Sequence, residues 1–367
     1  MTFEQVYISN PNFSNRYICP EKLFFYLQTN LSDYIEQIGT STLGKPIYKL
    51  SIGHGSVRVL AWSQMHGNES NATHAMLDLL ETLTMNGHLK QQLFEKITLD
   101  FIFMLNPDGS EQWTRRNSLD IDLNRDFLKG ASKEIHILKN MVKNGGYDFA
   151  LNLHEQRTIF TTDGKHPATL SFLSPSEDFE RTITEKRKKC MSIISKVKNK
   201  LQTIIPDHIG RYTDEFYPTS TGDNFMMQGL PNILFEGGHF EKDYQRKNTR
   251  RLYTIALYYT LLEIGNLKDY SDWEEYFNIP ENKETHYDII YRNVKLNTDY
   301  DCVLDVAVQF KEVINPGDDE VSFVPYVVEV GDVGKKKGWK EVDCTNKKFI
   351  CQRKYPKLDH PVDFDFE

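Results

Sequence analysis

Positive charge is not in excess in this sequence. Lys and Arg number 44 against 52 Asp and Glu, a net charge of -8. Such a chain has no general electrostatic pull toward nucleic acid or an anionic lipid surface. The local run Lys335-Lys336-Lys337 reads as a solvated turn. Long apolar runs are missing too, and nothing approaches the ~18 consecutive apolar residues of a bilayer span. The opening MTFEQVYISNPNFSNRYICP has no charged segment followed by an apolar one, so it does not read as a secretory signal. Cysteine is scarce: Cys19, Cys190, Cys302, Cys344 and Cys351 are odd in number and irregular in spacing, with no C-x-x-C pair. That excludes a thiolate zinc finger and points to reduced thiols in a cytoplasmic protein. A local Cys344–Cys351 clip would need an oxidising context. There is no internal repeat and no low-complexity tract.

What is present is the material of a folded core. Hydrophobic residues make up 39% and charged residues 26%, and the length suffices for one large domain and a smaller one. Up to about residue 265, short apolar runs alternate with amphipathic stretches. The runs Val57–Ser63, Ile97–Leu105, Phe149–Leu153 and Asn232–Glu236 read as strands buried on both faces. Glu69–Thr84, Lys133–Lys143, Arg181–Gln202 and Tyr244–Ile264 read as helices. This alternation predicts an α/β fold, with a parallel or mixed central sheet between helices. After Gly265 the pattern changes. Pro280 breaks a polar and aromatic stretch, and Tyr287–Lys295, Cys302–Phe310 and Ser322–Val330 then alternate apolar and polar, with an Asn315-Pro316-Gly317 turn between them. We therefore expect a domain over 1–265 and a small, mainly β domain over 266–367. Its acidic end, Asp359 to Glu367, is expected to be loosely ordered.

Four segments carry chemistry. In WSQMHGNES, His66 and Glu69 follow a strand directly, and Gly67 gives the backbone room to turn. Zinc accepts imidazole nitrogen and carboxylate oxygen, and a catalytic site uses three protein ligands. Alone, H-x-x-E is as common on a solvated surface. In DFALNLHEQ, His154 ends a strand at the sheet edge where open α/β folds bind ligands. Glu155 beside it points to the other face, which suits a partner of the site better than a ligand. In PNILFEGGH, Glu236 ends another apolar strand, where a carboxylate is costly without a function or a partner. It is a candidate general base, or a salt bridge with His239 or an arginine. In TRRNSLDIDLNRDF, Asn124 and Arg125 offer a carboxylate clamp, and Arg115 or Arg116 an oxyanion partner.

Taken together, H-x-x-E, R-x-N with D-L-N-R, a strand-end His and a strand-end Phe-Glu resemble the zinc carboxypeptidase superfamily over roughly residues 40–265. Asn106-Pro107-Asp108-Gly109 is similar to its bacterial members. The resemblance implies a mixed sheet of about eight strands. It implies one zinc ion per chain on His66, Glu69 and His154, with a zinc-bound water activated by Glu236. Arg115, at the usual R-x-N spacing, would steady the oxyanion, and Asn124 and Arg125 would hold the substrate's terminal carboxylate. A closing tyrosine is either Tyr212, preferred here, or Tyr217. Side-chain preference would be set near Thr221-Gly222-Asp223, with Asp223 either receiving a basic group or capping a helix. The loops between Glu69 and His154 look short, which implies an open cleft.

The expected activity is therefore a cytoplasmic metallocarboxypeptidase cutting a C-terminal peptide bond, with no nucleic-acid or membrane partner. The C-terminal β domain keeps a second reading open: an amidohydrolase of the aspartoacylase or succinylglutamate desuccinylase type, acting on N-acyl amino acids with a free carboxylate. A non-catalytic binding protein is a third reading, though no ligand or base is missing.

Overall fold

The computed structural model describes residues 2–315 and 317–367, so Pro316 of the expected Asn315–Gly317 turn lies outside the described residues. Eight strands form the central sheet: β1 (Ile35–Thr40), β2 (Pro46–Gly53), β3 (Val57–Trp62), β4 (Ile97–Phe103), β5 (Phe149–Glu155), β6 (Leu170–Leu173), β7 (Ile209–Arg211) and β8 (Asn232–Gly237). Their spatial order is β1-β2-β4-β3-β5-β8-β6-β7. The central four, β4, β3, β5 and β8, run parallel, while β1, β2 and β6 join their inner neighbours antiparallel. The sheet is thus mixed.

The order follows from where the apolar residues fall. Strands β3, β4 and β5 are apolar nearly throughout and are covered on both faces. One face packs on helices α1 (Pro20–Asn30), α2 (Asn71–Met85), α4 (Glu185–Gln202) and α6 (Lys247–Asn266). The other packs on α3 (Lys133–Gly145) and α5 (Thr221–Met227). On β5, Phe149, Leu151 and Leu153 enter the first layer and Ala150 the second. Side chains alternate along a strand, so Asn152 and His154 share the face of Ala150.

Three helices start later than their patterns suggest, α6 at Lys247 instead of Tyr244 among them. Arg181 takes a left-handed φ of 56°, and Thr184 caps α4 by accepting from the Arg187 N–H. Helix α2 begins at Asn71 and leaves Glu69 in the preceding turn, which the Glu69 N–H closes onto the His66 carbonyl at 3.2 Å. That turn brings the two side chains together. Gly67 is needed there for close approach and not for an unusual φ. A Cβ on it would lie 2.1 Å from the Gly109 carbonyl carbon.

The segment after α6 stays fastened to this layer structure. A turn of 3-10 helix, Trp273–Asn278, buries Tyr276 in the core, and Lys283–Glu284 pairs with Phe160–Thr161. Strands β9 (His286–Lys295), β10 (Val303–Val313), β11 (Ser322–Gly331) and β12 (Lys337–Asp343) then form a second sheet in the order β11-β10-β9-β12. The acidic end is not loose: Phe364–Phe366 pairs antiparallel with Phe349–Cys351. Its alternation of Phe and Asp is a strand pattern, and Phe364 and Phe366 pack with Tyr291 and Phe349. All five cysteines are free thiols. Among the described residues, no helix is long and apolar enough to cross a membrane.

Candidate active site

The C-terminal ends of β3, β5 and β8 converge on one point. His66 Nδ1 lies 2.9 Å from Glu69 Oε1, His154 Nδ1 lies 3.0 Å from Glu69 Oε2, and the two Nδ1 atoms are 3.2 Å apart. All three residues are buried. Among the described residues they form the one group of three or more His, Cys, Asp or Glu with ligand atoms close enough for a metal, all within 4.8 Å of one another. The donor set fits zinc, since two imidazole nitrogens and a carboxylate are what a catalytic zinc site uses. The surroundings fit as well. His66 Nε2 lies 3.1 Å from Asp122 Oδ1, a contact that holds the ring and leaves Nδ1 for the shared point. Burial would raise the Glu69 carboxyl, but His66 and His154 outweigh it and hold it well below its usual range. The Glu155 N–H donates to Glu69 Oε2 at 3.1 Å, fixing that carboxylate from the strand side.

Glu236 pairs in register with His154 across β5 and β8. Residues directly opposite on adjacent strands share a face, so its side chain is on the ligand side, in a residue that is half-buried overall. Burial raises its pKa well above the usual value, and the Glu69 charge raises it further. Arg115 Nη1 reaches Glu69 Oε1 at 3.3 Å and its Nε reaches Asp122 Oδ2 at 3.0 Å. Arg116 turns away to the Asp120 carbonyl. Both clamp candidates are nearby: the buried Asn124 accepts from the Thr221 N–H at 3.2 Å, and the exposed Arg125 lies over the Tyr217 ring at 5.5 Å.

The two tyrosines separate. Tyr217 stands at Arg125 and is exposed, with its hydroxyl donating to Glu215 at 3.2 Å. Tyr212 packs edge-on against Phe160, and burial with the Glu236 and Glu69 charges pushes its phenol well above the usual value. The structure therefore brings Tyr217 to Arg125 and leaves Tyr212 buried within the field of Glu236 and Glu69. Asp223 lies in the first turn of α5, whose N-cap is Ser220, and accepts from the N–H of Tyr217 in the preceding loop at 3.5 Å.

Some residues of this neighbourhood carry no signal of their own in the sequence. Asp122 is visible as a spacer but not as the partner of His66. Asn152 and Asn232 are wholly buried with unpaired amides, on the face of His154 and Glu236. A Cβ on Gly222 would come within 3.7 Å of Asn152 Nδ2 and 3.9 Å of Asn232 Oδ1. Only strand alternation counted back from His154 and Glu236 could have found them.

A family model described as zinc carboxypeptidase matches residues 26–140. That span holds His66, Glu69, Arg115, Asn124 and Arg125 and ends before His154. Carboxypeptidase 2 of Trichophyton rubrum is 31% identical over 102 residues, covering 27% of this chain and 19% of the relative. The chain spans about a fifth to a quarter of the length of such curated fungal relatives. Among solved structures, a metallo-carboxypeptidase from Burkholderia cenocepacia superposes with a TM-score of 0.55 at 16% identity, over 67% of this chain and 69% of that one. A metallo-carboxypeptidase from Pseudomonas aeruginosa, in complex with (2-guanidinoethylmercapto)succinic acid, gives 0.51 at 19% identity, over 68% and 69%. At these identities the likeness is one of fold.

Proposed function

From the zinc carboxypeptidase family match over residues 26–140 and the site geometry, we propose that the chain is a metallocarboxypeptidase removing a C-terminal residue from peptides, with one zinc per chain. The observation that carries this reading is the convergence of His66 Nδ1, His154 Nδ1 and both Glu69 oxygens, with Glu236 in register beside them. His66, Glu69 and His154 hold the zinc, which supplies a Lewis acid that polarises a carbonyl and acidifies water.

The chain's own residues do the rest. Asn124 and Arg125 bind the terminal carboxylate, which sets the register of the peptide. Tyr217, already at Arg125, is better sited than Tyr212 to close over that carboxylate. Arg115 places its guanidinium beside Glu69, where charge develops on the carbonyl oxygen. Glu236 takes a proton from the attacking water and returns it to the leaving amine. A raised carboxyl pKa suits a group that must do both near neutrality. Asn152, Asn232 and Thr221, each buried with an unpaired polar atom, make the wall near Gly222 polar and favour a polar side chain on the released residue.

The test has two stages. About one zinc per chain in the wild type, lost in His154→Ala, supports the ligand set, and equal zinc in both sinks it. Zinc-loaded protein is then assayed on N-blocked dipeptides beside N-acyl amino acids. Cleavage confined to the N-acyl amino acids would establish the amidohydrolase reading instead, which the family match and the carboxypeptidase relatives do not favour.

A further inference from the structure

The C-terminal sheet does not hang from the rest by a tether. Glu312 of β10 receives Arg16 at 2.8 Å, Arg157 through its Nη1, and the Trp113 indole N–H at 3.2 Å. Asp288 of β9 accepts from the Tyr244 hydroxyl at 2.6 Å, while Tyr244 packs edge-on against Phe310 at 5.2 Å and also touches Phe323. Arg16 in turn pairs with Glu155, the residue after His154. The sheet is therefore clamped to the strand that carries the third proposed ligand.

Between the two lies a cavity of about 530 Å³, within the range of pockets that hold small ligands. One wall comes from the site: Asn68, between His66 and Glu69, and Thr158, four residues after His154. The opposite wall comes from the sheet: Gln309, Phe310 and Phe323, with Tyr244 at the junction. These three aromatic residues are only half-buried, so ring surface faces the cavity. Two of the acidic groups there are already engaged, while Glu284 stands exposed at the rim. Asp288 accepts from Tyr244, from Gln309 Nε2 at 2.6 Å and from the Phe310 N–H at 2.7 Å, and Glu312 serves its arginines. What remains for a ligand is aromatic surface with amide and hydroxyl groups beside it, and the exposed Glu284 and Lys311 at the outer edge. None of Arg115, Asn124, Arg125 or Tyr217 lines this cavity.

We propose that the C-terminal sheet supplies one wall of a substrate subsite, and that this cavity takes an aromatic side chain from the part of the peptide upstream of the scissile bond. The inference rests on the carboxypeptidase reading, which fixes the direction. A peptide whose carboxylate is held at Asn124 and Arg125 passes the ligands and continues away from that clamp, and the cavity is lined by Asn68 and Thr158, which neighbour the ligands in the sequence. Ring surface recognises ring surface, and the amides of Asn68 and Gln309 match peptide groups.

The experiment compares N-acetyl tetrapeptides sharing one C-terminal residue and carrying phenylalanine or glycine at each upstream position, with an N-blocked dipeptide as reference. The zinc-loaded full chain is used, and each kcat/KM is divided by that of the dipeptide for the same variant. At least a tenfold phenylalanine-over-glycine advantage is expected at one position, expressed mainly in KM. In Phe310→Ala and Phe323→Ala, with zinc content checked as a measure of folding, it should shrink to within threefold. No phenylalanine advantage in the wild type overturns the proposal, and so does an advantage that both variants keep. If even the dipeptide is not cleaved, the peptidase reading fails on its own. Calorimetric binding of the same tetrapeptides then decides the cavity separately, with equal affinities for phenylalanine and glycine overturning it.

Discussion

His154 and Glu236 occupy the same register position on adjacent parallel strands, so both side chains leave one face of the sheet at its C-terminal edge. The pairing holds a proposed ligand and a proposed base at a fixed separation by backbone hydrogen bonds alone. Glu236→Gln keeps the shape and removes the proton acceptor. We expect zinc content to stay at the wild-type level and kcat to fall by about 10²–10⁴. Turnover at the wild-type rate would show that another group is the base.

Asp122 touches one proposed zinc ligand directly, His66, and reaches a second, Glu69, through Arg115. Asp122→Asn should weaken zinc binding by about 10–100-fold, measured by competition with a chromophoric chelator. His66→Ala should abolish binding in the same assay. Unchanged affinity in the asparagine variant would mean that the 3.1 Å contact to His66 Nε2 orients nothing.

Arg125 lies on the outer side of the site and touches no proposed ligand, so its loss should register in substrate affinity. Arg125→Ala should raise KM on N-blocked dipeptides while zinc content holds. A C-terminally amidated dipeptide should be a poor substrate for wild type and variant alike. Amidated and free-acid substrates cleaved equally well by the wild type would argue against a carboxylate clamp.

Gly67→Ala tests the close approach beside the ligands. Its new Cβ would meet backbone atoms of Gly109 and Ser110 at 2.1–2.2 Å, and backbone gives way less easily than a side chain. A loss of about 1–3 kcal/mol is expected, read by denaturant titration. A neutral substitution would mean that the Asn106–Ser110 turn is free to shift.

The junction with the C-terminal sheet should depend on pH through Glu312. Burial pushes its carboxyl up, but Arg157, Arg16 and Arg246 outweigh this and hold it below the usual carboxylate value. Its stabilising contribution is therefore complete above about pH 4.3, the unfolded value, and is lost as pH falls through the lowered folded value. Glu312→Gln should be less stable than wild type at pH 7, and the gap should narrow toward acid. A constant difference in Tm from pH 7 to the acid limit of folding would rule Glu312 out as the titrating group.

Much of this was legible in the sequence because the central strands are buried on both faces, which writes them as continuous apolar runs. Val57–Trp62 and Asn232–Gly237 are read almost to the residue, and the proposed site sits at their ends. The edge strand Ile35–Thr40 gave no such signal, since its residues are half or fully exposed. Short β6 and β7 lacked the length to show a period. The acidic composition of the last residues hid a period-two pattern in Phe364-Asp365-Phe366. The contacts of Arg16 and Glu312 were out of reach altogether, because each lies in a segment whose own pattern says nothing about the site. That Tyr217, and not Tyr212, lies against Arg125 likewise shows only in three dimensions.

The knot of charge around Glu155 also bears on the order in which the chain can become competent. Arg16, Glu155 and Glu312 come from the beginning, middle and far end of the sequence, with 139 residues between the first two and 155 between Arg157 and Glu312. Contacts of such separation form late, because the loop entropy must be met before they can reward it. A chain emerging during synthesis would carry all three proposed zinc ligands and the base long before Glu312 arrived. Until then Arg16 and Arg157 would lack their second counter-charge, and the cavity wall would be absent. The sheet of Glu312 would in this sense act as a completion step, separating a chain that can bind metal from one that also has its proposed upstream subsite.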